Sequence, residues 1–168
     1  MDSAILIRQL AECEAVVAKS LIISVVAVVY RWPGSLEGLM QDLDGRNILY
    51  DMVDITSHYT ARGGLFLGAF DQGRLVGTGA VWPLDGDRCE LKRMWLLPEY
   101  WGRRIGYAVI QRLFAHSRKQ GWKSIYPCTD RIQERAINFY HRVGFIDTKE
   151  RQEKCGEDDL SMVLSLEP

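Results

Sequence analysis

From residue 64 to residue 97, short apolar runs alternate with turn signals, a pattern that a sheet satisfies and a bundle of helices does not. Residues 65–70 and 75–82 flank Asp71-Gln72-Gly73, a tight turn joining two antiparallel strands. Asp85-Gly86-Asp87 reverses the chain again. A third strand then runs from Cys89 to about Leu97 and stops before Pro98. Three strands in succession expose two apolar faces, so the remaining chain has to cover them.

The period changes from two to 3.6 directly after the third strand. From about Arg104 to Gln120, Val109, Ile110, Leu113 and Phe114 form one stripe, while Gln111, Arg112, Arg118 and Lys119 occupy the wet side. Gly121 closes this predicted helix. Residues 122–128 read as a strand, with Pro127 marking the place where it leaves its neighbour because proline has no N–H to donate. Ala136, Phe139, Tyr140 and Val143 then recur at helical spacing up to Gly144, and strands over 145–148 and 161–166 follow around a charged turn. The expected architecture is α/β (mixed α+β), a twisted mixed sheet of about six or seven strands with helices on both faces.

The first third is less regular. Residues 15–30 are mainly apolar, with Lys19 inside them; Ile and Val favour a strand, whereas length and the stop at Arg31-Trp32-Pro33-Gly34 favour a helix. The uninterrupted part, 21–30, is too short to span a bilayer, so the segment reads as buried, with a homodimer contact as the alternative. Residues 33–63 carry Pro33-Gly34, Asp44-Gly45 and Gly63-Gly64 between small apolar patches, as short helices and loops laid over a sheet would. Such loops shape substrate entrances.

With 168 residues, 47% hydrophobic and 26% charged, and no repeat or linker, the chain reads as one domain over 1–168. Lysine plus arginine (21) nearly balances aspartate plus glutamate (22), so no global field attracts nucleic acid or anionic lipid, and a local basic patch stays open. Cys13, Cys89, Cys128 and Cys155 show neither C-x-x-C nor zinc-ligand spacing, so no metal is expected, and reduced thiols in a cytoplasm are. The N-terminus lacks the basic region and cleavage site of a secretory signal.

The densest chemistry lies where the third strand gives way to the helix, in Leu96-Leu97-Pro98-Glu99-Tyr100-Trp101-Gly102-Arg103-Arg104-Ile105-Gly106-Tyr107-Ala108. Free N–H groups and the positive end of a helix dipole converge there; Arg103 and Arg104 add charge, and Gly106 admits a pyrophosphate close to the backbone. A solvated strand-to-helix turn is the plainer reading of the same residues. The junction resembles the pyrophosphate loop of the GNAT family of N-acetyltransferases, Q/R-x-x-G-x-G/A. Two registers fit: one places Trp101 at the Q/R position, Arg104 at the first glycine and Gly106 at the last, and the other reads Arg103-x-x-Gly106-x-Ala108. A second segment, Ala136-Ile137-Asn138-Phe139-Tyr140-His141-Arg142-Val143-Gly144-Phe145, is similar to the family's A-x-x-F-Y-x-x-x-G-F. The resemblance covers about residues 64–148.

It implies an N-acyltransferase that uses acetyl-CoA, with a small-molecule or peptide amine attacking the thioester directly. It also implies that Gly102, Arg103, Arg104, Ile105, Gly106, Tyr107 and Ala108 hold the pyrophosphate, that backbone groups of Met94, Trp95 and Leu96 bind the pantetheine arm as an added strand would, and that Gln133 stands where many members carry a CoA-contacting asparagine. Tyr140 would protonate the leaving thiolate and Glu90 would take the amine proton, directly or through water. Spacing alone makes Tyr140 a core residue, and Glu90 is equally read as a structural partner of Lys92, two residues on. Among the histidines only His58 is placed to touch substrate; Asp51, Asp54 and Tyr59 share its loop and would suit a cationic amine. The alternatives to an enzyme are a CoA-binding regulatory module without turnover and, more remotely, a nucleotide- or nucleic-acid-binding domain, for which no G-x-x-x-x-G-K-[ST] motif speaks.

Overall fold

The computed structural model describes residues 4–150 and 155–167. Seven strands occur among them: β1 (Leu6–Gln9), β2 (Leu65–Asp71), β3 (Arg74–Pro83), β4 (Arg88–Leu96), β5 (Ser124–Asp130), β6 (Ile146–Asp147) and β7 (Asp159–Ser165). They form one sheet in the order β1-β2-β3-β4-β5-β7-β6, within which only β4 and β5 run parallel. A parallel pair needs a crossover, and the helix α4 (Ile105–Lys119) supplies it.

The β4–β5 ladder extends only from Arg88 opposite Ser124 to Leu91 opposite Pro127. Pro127 cannot donate to a ladder, so the sequence expectation at this residue holds. Beyond it β4 runs on to Leu96 and β5 to Asp130 without pairing to each other, and the sheet opens into a V.

Each face of the sheet has its own core. Under α4 and α5 (Glu134–Val143) lie Val76, Val81, Leu91 and Ile125; under α1 (Ala15–Val29) and α2 (Leu36–Gly45), with the short α3 (Ile55–His58) beside them, lie Phe66, Phe70, Leu75 and Ala80. Strand β3 therefore alternates between two buried faces, Leu75 and Ala80 to one and Val76 and Val81 to the other. Close contact between α4 and the sheet depends on Gly79, where a Cβ would fall 2.6 Å from Met94 Sδ and 2.7 Å from Val109 Cγ1.

Three differences from the sequence reading stand out. The undecided segment 15–30 is a helix, with Ala18, Ile22 and Val25 on its buried side and Val16, Val17 and Val28 exposed. The edge strand β1 had no counterpart in the pattern, because four residues with only Ile7 buried carry no period. Finally, Cys128 on β5 and Cys155 ahead of β7 are joined in a disulfide, with Cα atoms 5.7 Å apart. This corrects the expectation of four reduced thiols, since strand pairing brings together cysteines that lie 27 positions apart, and the argument from thiols to a cytoplasm loses its basis. Cys13 is free and exposed; Cys89 is free and buried, and burial pushes its thiol up to about 12. No helix among the described residues is long and apolar enough to cross a membrane.

Candidate active site

The open end of the V holds a cavity of about 620 Å³. One wall is β4 with Met94, Trp95 and Leu96, the other is α5 with Ala136, Phe139 and Tyr140, and the loop into α4 closes one end with Trp101, Gly102 and Arg104. Val25 and Val29 reach the cavity from α1. Because β4 has lost β5 as a partner here, its backbone edge is free to pair with an extended ligand chain. Part of that edge is already used, since the indole Nε1 of Trp101 donates to the Leu96 carbonyl at 2.8 Å.

Strand β4 bulges beside this wall. Its register against β3 shifts between Thr78 and Ala80, Arg93 adopts a left-handed φ of 55°, and the Thr78 hydroxyl donates to the Arg93 carbonyl at 2.7 Å. The Arg93 side chain is held from the other face: it donates to the Ile48 carbonyl at 2.7 Å and to both oxygens of Asp51, which is fully buried and also accepts from the Tyr59 hydroxyl. Burial raises the Asp51 carboxyl, but the Arg93 hydrogen bonds and charge outweigh it, so its pKa lies below the ordinary value. Asp51 and Tyr59 are therefore committed internally, and Asp54 caps α3 by accepting from Ser57 N–H at 2.8 Å. The sequence expectation of an acidic loop facing an amine is corrected: Asp51 is spent on Tyr59 and Arg93, and Asp54 on Ser57.

Tyr140 sits where the second motif places it, 6% exposed and lining the cavity, its ring edge-on to Phe145 with centroids 5.5 Å apart. Burial drives its phenol well above the ordinary tyrosine range, against a smaller opposing hydrogen bond from Thr129 on β5. The group is therefore a neutral O–H over the whole physiological range, the form required of a proton donor.

The loop fits an anion. In the first turn of α4 the N–H groups of Ile105, Gly106 and Tyr107 have no place in the helix ladder, which begins with Ala108 N–H to the Arg104 carbonyl at 3.0 Å. A Cβ on Gly106 would meet nothing closer than Phe139 at 3.7 Å, so the space over it is open cavity. Arg104, Arg135 and Arg142 rim the same space. Gln133 also lines it, its amide donating to the Tyr30 hydroxyl at 2.8 Å.

Several expected residues lie elsewhere. Arg103 turns outward, 4.9 Å over the Tyr100 ring, and Ala108 is on the exposed side of α4 with its N–H already used. Glu90 is not in the cavity wall: it is 7% exposed, accepts from Trp82 Nε1 at 2.7 Å and lies 4.0 Å from Lys92. His58 is turned to the Asp54 carbonyl at 2.9 Å and packs edge-on to Tyr50. Conversely Thr78, Val25, Val29, Trp101, Arg135, Phe139 and Arg142 belong to the wall without having been singled out as binding residues. The helical stripe through Phe139 and Val143 marks which side of α5 faces inward; nothing in the local pattern ties Val25 and Val29 to a site so far along the chain.

Residues 35–145 match the profile of the acetyltransferase (GNAT) family, a stretch that includes the loop, the parted strands and Tyr140. The chain belongs to the GNAT family. As a GNAT protein it is 31% identical over 106 residues to N-acetyltransferase 8 of Mus musculus, a match that takes in 60% of this chain and 47% of that one. It therefore spans about half the length of that relative. It is 28% identical over 116 residues to the uncharacterized N-acetyltransferase C1271.07c of Schizosaccharomyces pombe, covering 68% of this chain and 71% of that one. Among solved structures, a GNAT-family acetyltransferase from Staphylococcus aureus Mu50 superposes with a TM-score of 0.84 at 21% identity, covering 98% of this chain and 100% of that one. The PaiA N-acetyltransferase of Thermoplasma acidophilum, solved in complex with coenzyme A, superposes at 0.78 and 21%, over 96% and 99% of the two chains. At such identities these structures speak for the GNAT fold.

Proposed function

We propose that this GNAT protein is an acetyl-CoA-dependent N-acyltransferase in which a primary amine attacks the thioester directly. The observation that carries the reading is Tyr140, a phenol kept neutral by burial in the wall of a cavity that also offers free helix N–H groups, a free strand edge and three guanidiniums. Those groups match the phosphates and amide-rich arm of CoA, which the Thermoplasma protein of the same fold binds. In this reading Tyr140 gives its proton to the sulfur as the C–S bond breaks and the C–N bond forms. The phenolate is re-protonated from solvent, and the amine loses its proton to water or to a base. Glu90 takes part only through water, since Trp82 and Lys92 hold its carboxylate outside the cavity. If Glu90→Gln leaves the acidic limb of the pH–rate profile unchanged, Glu90 is the anchor of Trp82 and Lys92 and nothing more.

Thiol release from acetyl-CoA across a panel of small amines, amino acids and peptides tests the activity and narrows the acceptor. One observation favours the rival reading, a CoA-binding module without turnover: no carboxylate or histidine lines the cavity among the described residues. CoA binding without thiol release for any amine would decide for it. Exposed Val16, Val17 and Val28 on α1 support a homodimer contact, which sedimentation of the protein tests.

A further inference from the structure

In the register that places Gly106 at the last glycine, the loop departs from the family pattern at its first position, where Trp101 stands in place of a glutamine or arginine. In that register the position offers an indole and no amide or guanidinium. The structure shows what stands opposite: the guanidinium of Arg135, from the first turn of α5, lies 4.4 Å over the Trp101 ring. Both residues line the cavity, one from each side of the V.

The details of both side chains point to a ligand. Trp101 is pinned by its bond to the Leu96 carbonyl, so its ring presents a fixed flat face. Arg135 makes no hydrogen bond or ion pair among the described residues; the indole face is its one recorded contact. A guanidinium stacks well on such a surface while its N–H groups point outward in its own plane, parallel to the ring, and stay available. Of the loop's two cations, Arg103 is turned away over Tyr100 and Arg104 lines the cavity; on α5, Arg142 spends its Nε on the Asn138 carbonyl at 3.2 Å. Among the described residues Arg104 and Arg135 both keep their donors free on the rim, and Arg135 is the one whose guanidinium lies over a fixed ring.

We propose that Arg135, held on the Trp101 ring, binds the pyrophosphate of CoA from across the cavity, opposite the loop's free N–H groups. The inference rests on the reading that the cavity takes CoA. Trp101 is the positioning residue and Arg135 the contact. The pyrophosphate is the group assigned because Trp101 opens the loop whose free N–H groups and Gly106 face the same space.

The test compares acetyl-CoA with S-acetylpantetheine, which carries the reactive thioester without the phosphates, and uses calorimetry with CoA and dephospho-CoA. Arg135→Ala should weaken CoA binding about tenfold or more, as the loss of a charge-assisted contact does, and should lower the selectivity for acetyl-CoA over S-acetylpantetheine by the same factor. The penalty should persist with dephospho-CoA, which retains the pyrophosphate. Trp101→Ala should weaken CoA binding less than Arg135→Ala, and the double variant should be no weaker than Arg135→Ala alone, because the platform matters only through the arginine. Trp101→Phe should recover part of the loss. Equal losses with both thioesters would make Arg135 structural; unchanged CoA affinity would hand the phosphates to other groups; a penalty that vanishes with dephospho-CoA would reassign Arg135 to the 3′-phosphate; additive losses would remove the platform. A parent protein that binds no CoA refutes instead the cofactor reading beneath the proposal.

Discussion

Under α1 and α2 the buried charges of Asp51 and Arg93 satisfy each other, whereas across the sheet Arg104, Arg135 and Arg142 rim the cavity with no ion pair among the described residues. The first arrangement is closed: Arg93 donates through Nε and Nη2, both Asp51 oxygens accept within the protein, and the bulge of β4 is held from behind. The second is open, and its donors await a ligand. Charges of the first kind hold the site's shape and are expensive to disturb, while charges of the second kind cost the fold little and act only when an anion arrives.

The largest effect expected from breaking this contrast is on the closed side. Asp51→Ala leaves the Arg93 guanidinium buried and unpaired and should lower stability by about 3–5 kcal/mol, read as a large drop in thermal midpoint. The acid response follows from the same pair. The folded-state pKa of Asp51 lies below its unfolded value near 3.9, so its contribution is complete above about pH 4 and is lost as the pH falls through the folded value. An Asp51→Asn variant should therefore show a flatter fall in stability as the pH drops below about 4.

The disulfide should come next. Cys155→Ser opens the link between β5 and the segment before β7, at a cost of about 2–4 kcal/mol under non-reducing conditions. Thiol titration of the unfolded protein should count two free thiols before reduction and four after it; four before reduction would remove the bond.

On the open side the effect should fall on rate and not on stability. Tyr140→Phe keeps the ring against Phe145 and removes the hydroxyl, so turnover should drop by about 10²-fold while CoA affinity and thermal midpoint stay near the parent. With the phenol raised by burial, no loss of rate from its ionisation should appear below the ordinary tyrosine value near pH 10. Parent-like turnover, in an assay limited by chemistry, would make Tyr140 a packing residue. The smallest effect closes the comparison: Arg142→Ala, at an exposed rim position, should change stability by less than about 0.5 kcal/mol. A loss comparable to that of Asp51→Ala would mean that the rim is not open at all.

Legibility in the sequence follows the same divide. Helices α4 and α5 each have one wet side, so their period is visible, and the strands of the hairpin are bounded by turn chemistry that local residues alone impose. Helix α1 is apolar on nearly every side because both the sheet and α2 press against it, and a segment without a polar stripe shows no period. Tyr140 and Gly106 were found because motifs name them. Asp51 was read as available because an acidic residue in an irregular loop usually is; its partner, Arg93, is 42 residues away in sequence.

By itself, then, the sequence determined what local chemistry governs: the strand-turn-strand run, the amphipathic helices, the strand break at Pro127 and the glycine-bearing loop at a helix start. Tertiary structure alone decided which charges meet. It closed Asp51 on Arg93, joined Cys128 to Cys155, drew Glu90 behind Trp82 and set Arg135 over Trp101. Each of these depends on distances between residues remote in the chain, and such distances exist only after the two sides of the sheet have packed, since local propensity carries no record of them.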